Sequence, residues 1–211
     1  IAAANGARPN AATRRTAIAV SAPASSSNAT TAAATRGKRR GGRAAIAIIA
    51  TGRAAAAAGI NRRGSPRGRV LDVLWKCRRV VVDDGEIEAL LRLVEEGEGL
   101  RFETSIVVVD DDEMRGINRD ALGHDYATDV VTFDLGEPDG PVVEGEIVIS
   151  ADHAAAAAKE AGHDPETELL FYVCHGLLHL SGYDDATPPD RRRMLARQAE
   201  YLRALGRNVR G

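Results

Sequence analysis

No aspartate or glutamate occurs before Asp72 and no aromatic side chain before Trp75. A stretch so short of apolar anchors, with no sustained apolar period, cannot bury enough surface to offset its ordering entropy, which excludes a packed core over residues 1–69. It is instead rich in Ala, Arg, Gly, Ser and Thr and holds 13 basic and no acidic residues, a charge of +13. The remaining 15 basic and 30 acidic residues give 70–211 a charge of −15, so the overall −2 hides a split chain. Two domains of unlike character are therefore expected: a basic disordered leader or tail at 1–69 and a folded unit at 70–211. An Arg- and Ser-rich, acid-poor leader resembles an organelle transit peptide. Cytoplasmic location is the expectation, with an organelle as the alternative if the leader acts as one.

Cysteine is equally scarce. Cys77 and Cys174 cannot make a disulfide framework, and a reducing compartment is the default. Long apolar runs are missing too, since AAIAIIA at 44–50 is too short to span a bilayer and Arg53 follows it. No membrane segment is expected.

From Val70 onward the spacing changes, and about 140 residues suffice for one buried core. Val80–Val82 and Ser105–Val109 are β-branched runs that predict strands, and between them Ile87, Leu90, Leu91 and Val94 recur at helical spacing. Asp110–Asp112 can cap a helix through about Leu122, and Asp129–Phe133 and Glu146–Ile149 read as strands joined by a turn over Gly136–Gly140. Three helices follow: DHAAAAAKEA ending at Gly162, one from Asp164-Pro165 through about Leu180, and one from Pro189-Asp190 to about Leu205. The order β-α-β-α-β-β-α-α-α predicts an α+β (mixed α/β) domain, a small sheet of about four strands covered by helices.

The segment that carries chemistry is His175-Gly176-Leu177-Leu178-His179-Leu180-Ser181-Gly182-Tyr183-Asp184-Asp185. Four residues apart on a helix, His175 and His179 stand one above the other and can reach one ion. Gly182 suits a left-handed helix end, after which the chain can bring Asp184 or Asp185 back to that face as a third ligand. Three protein ligands leave a fourth position for water, as catalytic zinc sites require. Metalloproteases of the H-E-x-x-H type place a general-base Glu after the first His, and here that position is Gly176. A nuclease does not share that demand, because a metal can both acidify water and polarise a phosphoryl oxygen.

H-G-L-L-H-L-S-G-Y-D-D resembles the H-G-x-L-H-L-x-G-Y-D-H signature of the YbeY family, endoribonucleases specific for single strands and linked to 16S rRNA processing and ribosome quality control. Asn118-Arg119-Asp120, Gly123-His124-Asp125 and Thr128-Asp129-Val130-Val131-Thr132-Phe133 resemble the family's N-x-x-x-R-G-K-D-x-P-T-D-V-L-S-F, and Gly145-Glu146-Ile147-Val148-Ile149-Ser150 its G-D-I-x-I-S. With MLARQAEYL, the likeness spans about residues 80–205. The resemblance implies one Zn2+ on His175, His179 and Asp185, with rRNA of the small ribosomal subunit as partner and no organic cofactor. Asp185 stands where the signature has a His, which keeps Asp184 as the competing ligand. Leu122 stands where the motif has an Arg, and Arg119 or His124 is the candidate replacement.

Other residues have plainer readings. Cys174 is turned about 100° from His175 and reads as a small buried apolar group. Thr128 and Asp129 either line the site or cap a turn, and Ser150 reads as an N-cap. Glu168, seven residues before His175, is a candidate base or supporting group, with a solvent-facing charge as its alternative. His153 and His163 receive no role. Arg191–Arg193 reads as a helix surface paired with nearby acids. A folded unit at −15 repels phosphate, so the +13 stretch is expected to supply attraction toward RNA. Two rival functions remain: a metal-dependent hydrolase of peptides, and a ribosome-associated factor whose metal is structural.

Overall fold

A computed structural model describes the backbone of Thr16–Val20 and residues 70–136 and 141–208. The elements are β1 (Thr16–Val20), β2 (Val70–Trp75), α1 (Asp84–Glu98), β3 (Phe102–Val109), α2 (Asp111–Leu122), β4 (Val130–Asp134), β5 (Val143–Ser150), α3 (Ala151–Ala161), α4 (Pro165–Leu180) and α5 (Pro188–Ala204). Each helix starts on an oxygen-bearing side chain that takes up an orphan amide of the first turn. Asp83, Asp110, Ser150, Asp164 and Thr187 accept from Gly85, Glu113, His153, Thr167 and Asp190 respectively. Pro188, one residue ahead of the expected start, opens α5.

The sheet order is β1-β4-β5-β3-β2, with β2, β3 and β5 parallel and β4 antiparallel to both β5 and β1. The α+β expectation holds, and the four strands from Val70 onward match the expected sheet. Two corrections apply. The first strand is Val70–Trp75 and not Val80–Val82: Val80 and Val82 are buried while Val81 is 43% exposed, so this segment inserts two valines into the core on its way to the α1 cap without entering the ladder. The second concerns the stretch 1–69, expected to lack structure throughout. Thr16–Val20 pairs antiparallel with β4, from Thr16 opposite Asp134 to Val20 opposite Val130. The remainder of 1–69, residues 137–140 of the expected turn, and residues 209–211 lie outside the described residues. Among the described residues no helix is long and apolar enough to cross a membrane.

Strand alternation gives the sheet two apolar faces. Ile106, Val108, Ile147 and Ile149 join α1, α4 and α5 in the larger core, whereas Val107, Val109, Val131 and Val148 pack with Met114 and Ile117 of α2 on the other side. α4 lies at the centre of the larger core, with thirteen of its sixteen residues buried. That is why its apolar spacing is nearly continuous.

Glu146 alternates with Ile147 and so faces the α2 side, where it is buried and accepts from Ser105 Oγ at 3.2 Å. Burial raises its carboxyl pKa, opposed by the Ser105 hydrogen bond and the Lys76 charge. The folded chain therefore holds this proton more tightly than the unfolded chain. Its contribution is fully present below the ordinary value of 4.5 and is lost as pH rises through the folded value. Glu146→Gln removes that loss, and the expected result is a higher melting temperature than wild type at pH 7 with no gain at pH 4, read by thermal denaturation at both.

Candidate metal centre

α4 places His175 and His179 on one side, with ring centroids 4.6 Å apart and planes at 83°. Both rings are buried, and burial lowers both pKa values, that of His175 to about 3, so both imidazoles are neutral. Each neutral ring carries one N–H, and the surroundings fix which nitrogen has it. His179 Nδ1 lies 3.0 Å from the Tyr183 carbonyl, which can only accept. His175 Nδ1 lies 3.3 Å from Gln198 Oε1, and that amide is oriented by its own Nε2, which donates to the Phe171 carbonyl at 2.7 Å. Both Nδ1 atoms are therefore donors.

Both Nε2 atoms are left as bare lone pairs, and they face each other at 3.1 Å. Two lone pairs at that separation repel unless a cation lies between them. Two Zn–N bonds of about 2.0–2.1 Å at a tetrahedral angle bring their nitrogens to roughly 3.3 Å, close to the observed spacing. Asp185 Oδ2 lies 4.0 Å from His175 Nε2, and one ligand atom from each of the three residues lies within 4.8 Å of the others. The donor set thus fits a divalent ion that accepts imidazole and carboxylate.

Turn chemistry decides between the two aspartates. Gly182 adopts φ 93°, as the reversal requires, and the Tyr183 amide returns to the Leu178 carbonyl. Asp184 is exposed, and its Oδ1 caps the next turn through the Ala186 amide at 3.0 Å. Asp185, half-buried, is the one that joins the histidines.

The other expected residues have partners of their own. Arg119 is exposed on α2, hydrogen-bonded to Asp120 at 3.2 Å, and His124 is exposed just beyond that helix, stacked on Tyr126. Their helix packs on the sheet face opposite α4. Glu168 does not face solvent: it is buried with its carboxylate 2.6 Å from His163 Nε2. That contact also gives His163 a partner, and His153 has one in Asp111 at 2.7 Å. Asp129 is buried, with Oδ1 accepting from Thr128 Oγ1 and from the Val130 amide, so the pair caps the strand entry. Cys174 is fully buried, and burial pushes its thiol pKa up, which suits a packing role. Arg193 pairs with Asp190 at 3.0 Å.

Two supporting groups were not read from the sequence. Gln198 is fully buried on α5 between Met194 and Tyr201, and an amide in an apolar stripe is a signal that was available. Glu98, at the end of α1, accepts from Tyr201 Oη at 2.6 Å, Arg197 Nε at 2.8 Å and Tyr183 Oη at 3.3 Å. It thereby holds the Tyr183 segment that orients His179. Nothing local marks Glu98, because its partners stand 85 to 103 positions away.

A small side chain is required where α4 meets the sheet. A Cβ on Gly176 would come within 2.8 Å of Ile147, and one on Gly145 within 2.6 Å of Leu180. Position 176 thus points into the sheet, away from the histidine pair.

Comparison with known proteins places this arrangement among relatives. The sequence model of the family described as Endoribonuclease YbeY matches residues 82–206. The chain is 39% identical over 150 residues to Endoribonuclease YbeY of Bacillus licheniformis, a match covering 65% of this chain and 95% of that protein. The corresponding Chlorobium phaeovibrioides protein is 42% identical over 138 residues, covering 64% and 91%. That of Bacillus subtilis is 38% identical over 133 residues, covering 57% and 85%.

Proposed function

Because the chain belongs to the YbeY endoribonuclease family, we propose that it is an RNA-cleaving hydrolase that uses one zinc ion held by His175, His179 and Asp185 and cuts single-stranded RNA. The observation that carries the metal assignment is the pair of facing Nε2 lone pairs at 3.1 Å with a carboxylate beside them. The proposed setting is maturation of the 16S rRNA 3′ end and ribosome quality control in the cytoplasm, which rests on the family resemblance.

A divalent ion at this position supplies a Lewis acid for the phosphodiester and a means of activating water. The protein's own contributions follow from its geometry. Gln198 and the Tyr183 carbonyl hold the imidazole protons on Nδ1, so neither ring has to change tautomer to present Nε2. Phe171 stacks beside His175, with ring centroids 6.5 Å apart and planes at 22°. Asp185 adds negative charge that three imidazoles would lack, so water activated at a metal held here would be less acidic than in a three-histidine site. The peptide-hydrolase alternative loses support, since a Glu at position 176 would meet Ile147 and not the substrate.

Incubation of metal-stripped and zinc-reloaded protein with single-stranded RNA, duplex RNA and casein tests the reading. Cleavage of the single strand alone, only after reloading, is the expected result. Equal cleavage by stripped protein, or digestion of casein without RNA, overturns it. An ion bound with no cleavage of any substrate points to the structural-metal alternative. Gln198→Leu, which removes the acceptor for His175 Nδ1, is expected to weaken zinc binding about 10- to 100-fold in a chelator competition assay.

A further inference from the structure

We propose that the stacked rings of His124 and Tyr126 form a platform for one unpaired base of the RNA substrate, a specificity contact that rests on the endoribonuclease reading above. The rings lie nearly parallel, at 11° with centroids 5.4 Å apart, and Tyr126 is 50% exposed. Large apolar exposure of this kind is confined to Leu74, Val81 and Tyr126 among the described residues, and only Tyr126 belongs to a stacked pair.

Besides the 3.3 Å contact of Tyr126 Oη with His124 Nδ1, backbone and neighbouring side chains hold the segment in place. Gly123 ends α2 in the left-handed region at φ 80°, Asn118 Nδ2 donates to the Tyr126 carbonyl at 2.8 Å, and Arg115 grips Asp125 with two bonds of 2.8 and 2.9 Å. Leu122 and Ala127, on either side, pack against the smaller core. A preorganised aromatic surface loses little entropy when a flat partner stacks on it. The segment runs directly into β4, whose Val130 packs in the larger core with α4, the helix that carries the two histidines.

Base and phosphate recognition are distinguishable here. Arg115 is committed to Asp125, and Arg119 to Asp120 with Asp125 at 4.0 Å, so the local guanidiniums are neutralised by neighbours. The position where the family motif has an Arg is Leu122, anchored in the core. What remains on offer is the π-face, which attracts any exposed base and is denied to bases stacked inside a duplex.

The test uses the full chain carrying His179→Ala, so that titrations with RNA proceed without cleavage. Binding of a labelled single-stranded oligoadenylate is measured by fluorescence anisotropy at several salt concentrations. Tyr126→Ala is expected to raise Kd about 5- to 150-fold, the range for losing one aromatic–base stack. Tyr126→Trp is expected to stay within about twofold, and the slope of log Kd against log salt is expected to be unchanged, since no phosphate contact is lost. An unchanged Kd in Tyr126→Ala, or a Trp variant as weak as the Ala variant, overturns the platform. Cleavage by protein with His179 intact is scored separately on gels, so that a protein that cuts RNA without using Tyr126 and one that does not cut RNA at all give different results.

Discussion

His179→Ala is expected to weaken zinc binding by more than about 100-fold and to abolish RNA cleavage while the fold persists. The loss must exceed the roughly 10- to 100-fold cost of deleting a supporting group, because one of the three proposed ligand residues disappears. The fold is expected to survive because the buried apolar side chains of α4, among them Leu169, Leu170, Val173, Leu177 and Leu178, stay in the larger core. Deleting the His179 ring leaves the Tyr183 carbonyl without its donor, at about 1–3 kcal/mol, a fraction of a typical domain stability. Metal content by mass spectrometry, circular dichroism and a cleavage gel on one preparation check all three parts. Zinc retained at wild-type stoichiometry and affinity in this variant would remove the proposed ion from His179.

Gly176→Glu, which would recreate the H-E-x-x-H pattern, is expected to prevent stable folding rather than to create a protease. The new Cβ would begin 2.8 Å from Ile147 Cγ2, and both residues are buried at the α4–β5 contact. Overpacking costs about 1–3 kcal/mol, and an unpaired carboxylate in an apolar core adds several more. The sum approaches the 5–15 kcal/mol that holds a typical domain together. Gly176→Ala adds the Cβ alone and separates steric from electrostatic loss. Urea denaturation of both variants is the measurement, and a Glu variant as stable as wild type would contradict the close approach of helix and strand described above.

Much of this architecture could be read from side-chain chemistry close in sequence. Asp110, Ser150 and Asp164 each stand where a helix begins, and Gly162 where one ends, because capping is settled within three or four residues. The β2 strand escaped because Leu71 to Trp75 alternate half-buried and exposed positions at the sheet edge, whereas VVV at 80–82 carries the denser β-branched signal. Strand identity there depends on a parallel partner 33 residues away, Val70 opposite Glu103. Thr16–Val20 escaped for a similar reason, since its ladder forms with residues 130–134.

The site divides along the same line. The i, i+4 histidines and the glycine-driven reversal are local and were legible, and the same reversal brings Asp185 rather than Asp184 inward. Gln198 follows His175 by 23 positions, and its partnership becomes visible only when α5 is packed on α4. Arg119, His124 and Glu168 were singled out from motif position or helical spacing, neither of which indicates the partners they have in the fold: Asp120, Tyr126 and His163.

Gln198 belongs to α5, which follows α4 in the sequence, and a chain leaves the ribosome amino end first. His175 and His179 therefore emerge before the amide that sets one of their tautomers and before Arg197 and Tyr201 can clasp Glu98. A pocket built in this order keeps one imidazole without its fixed proton until α5 has emerged and packed against α4.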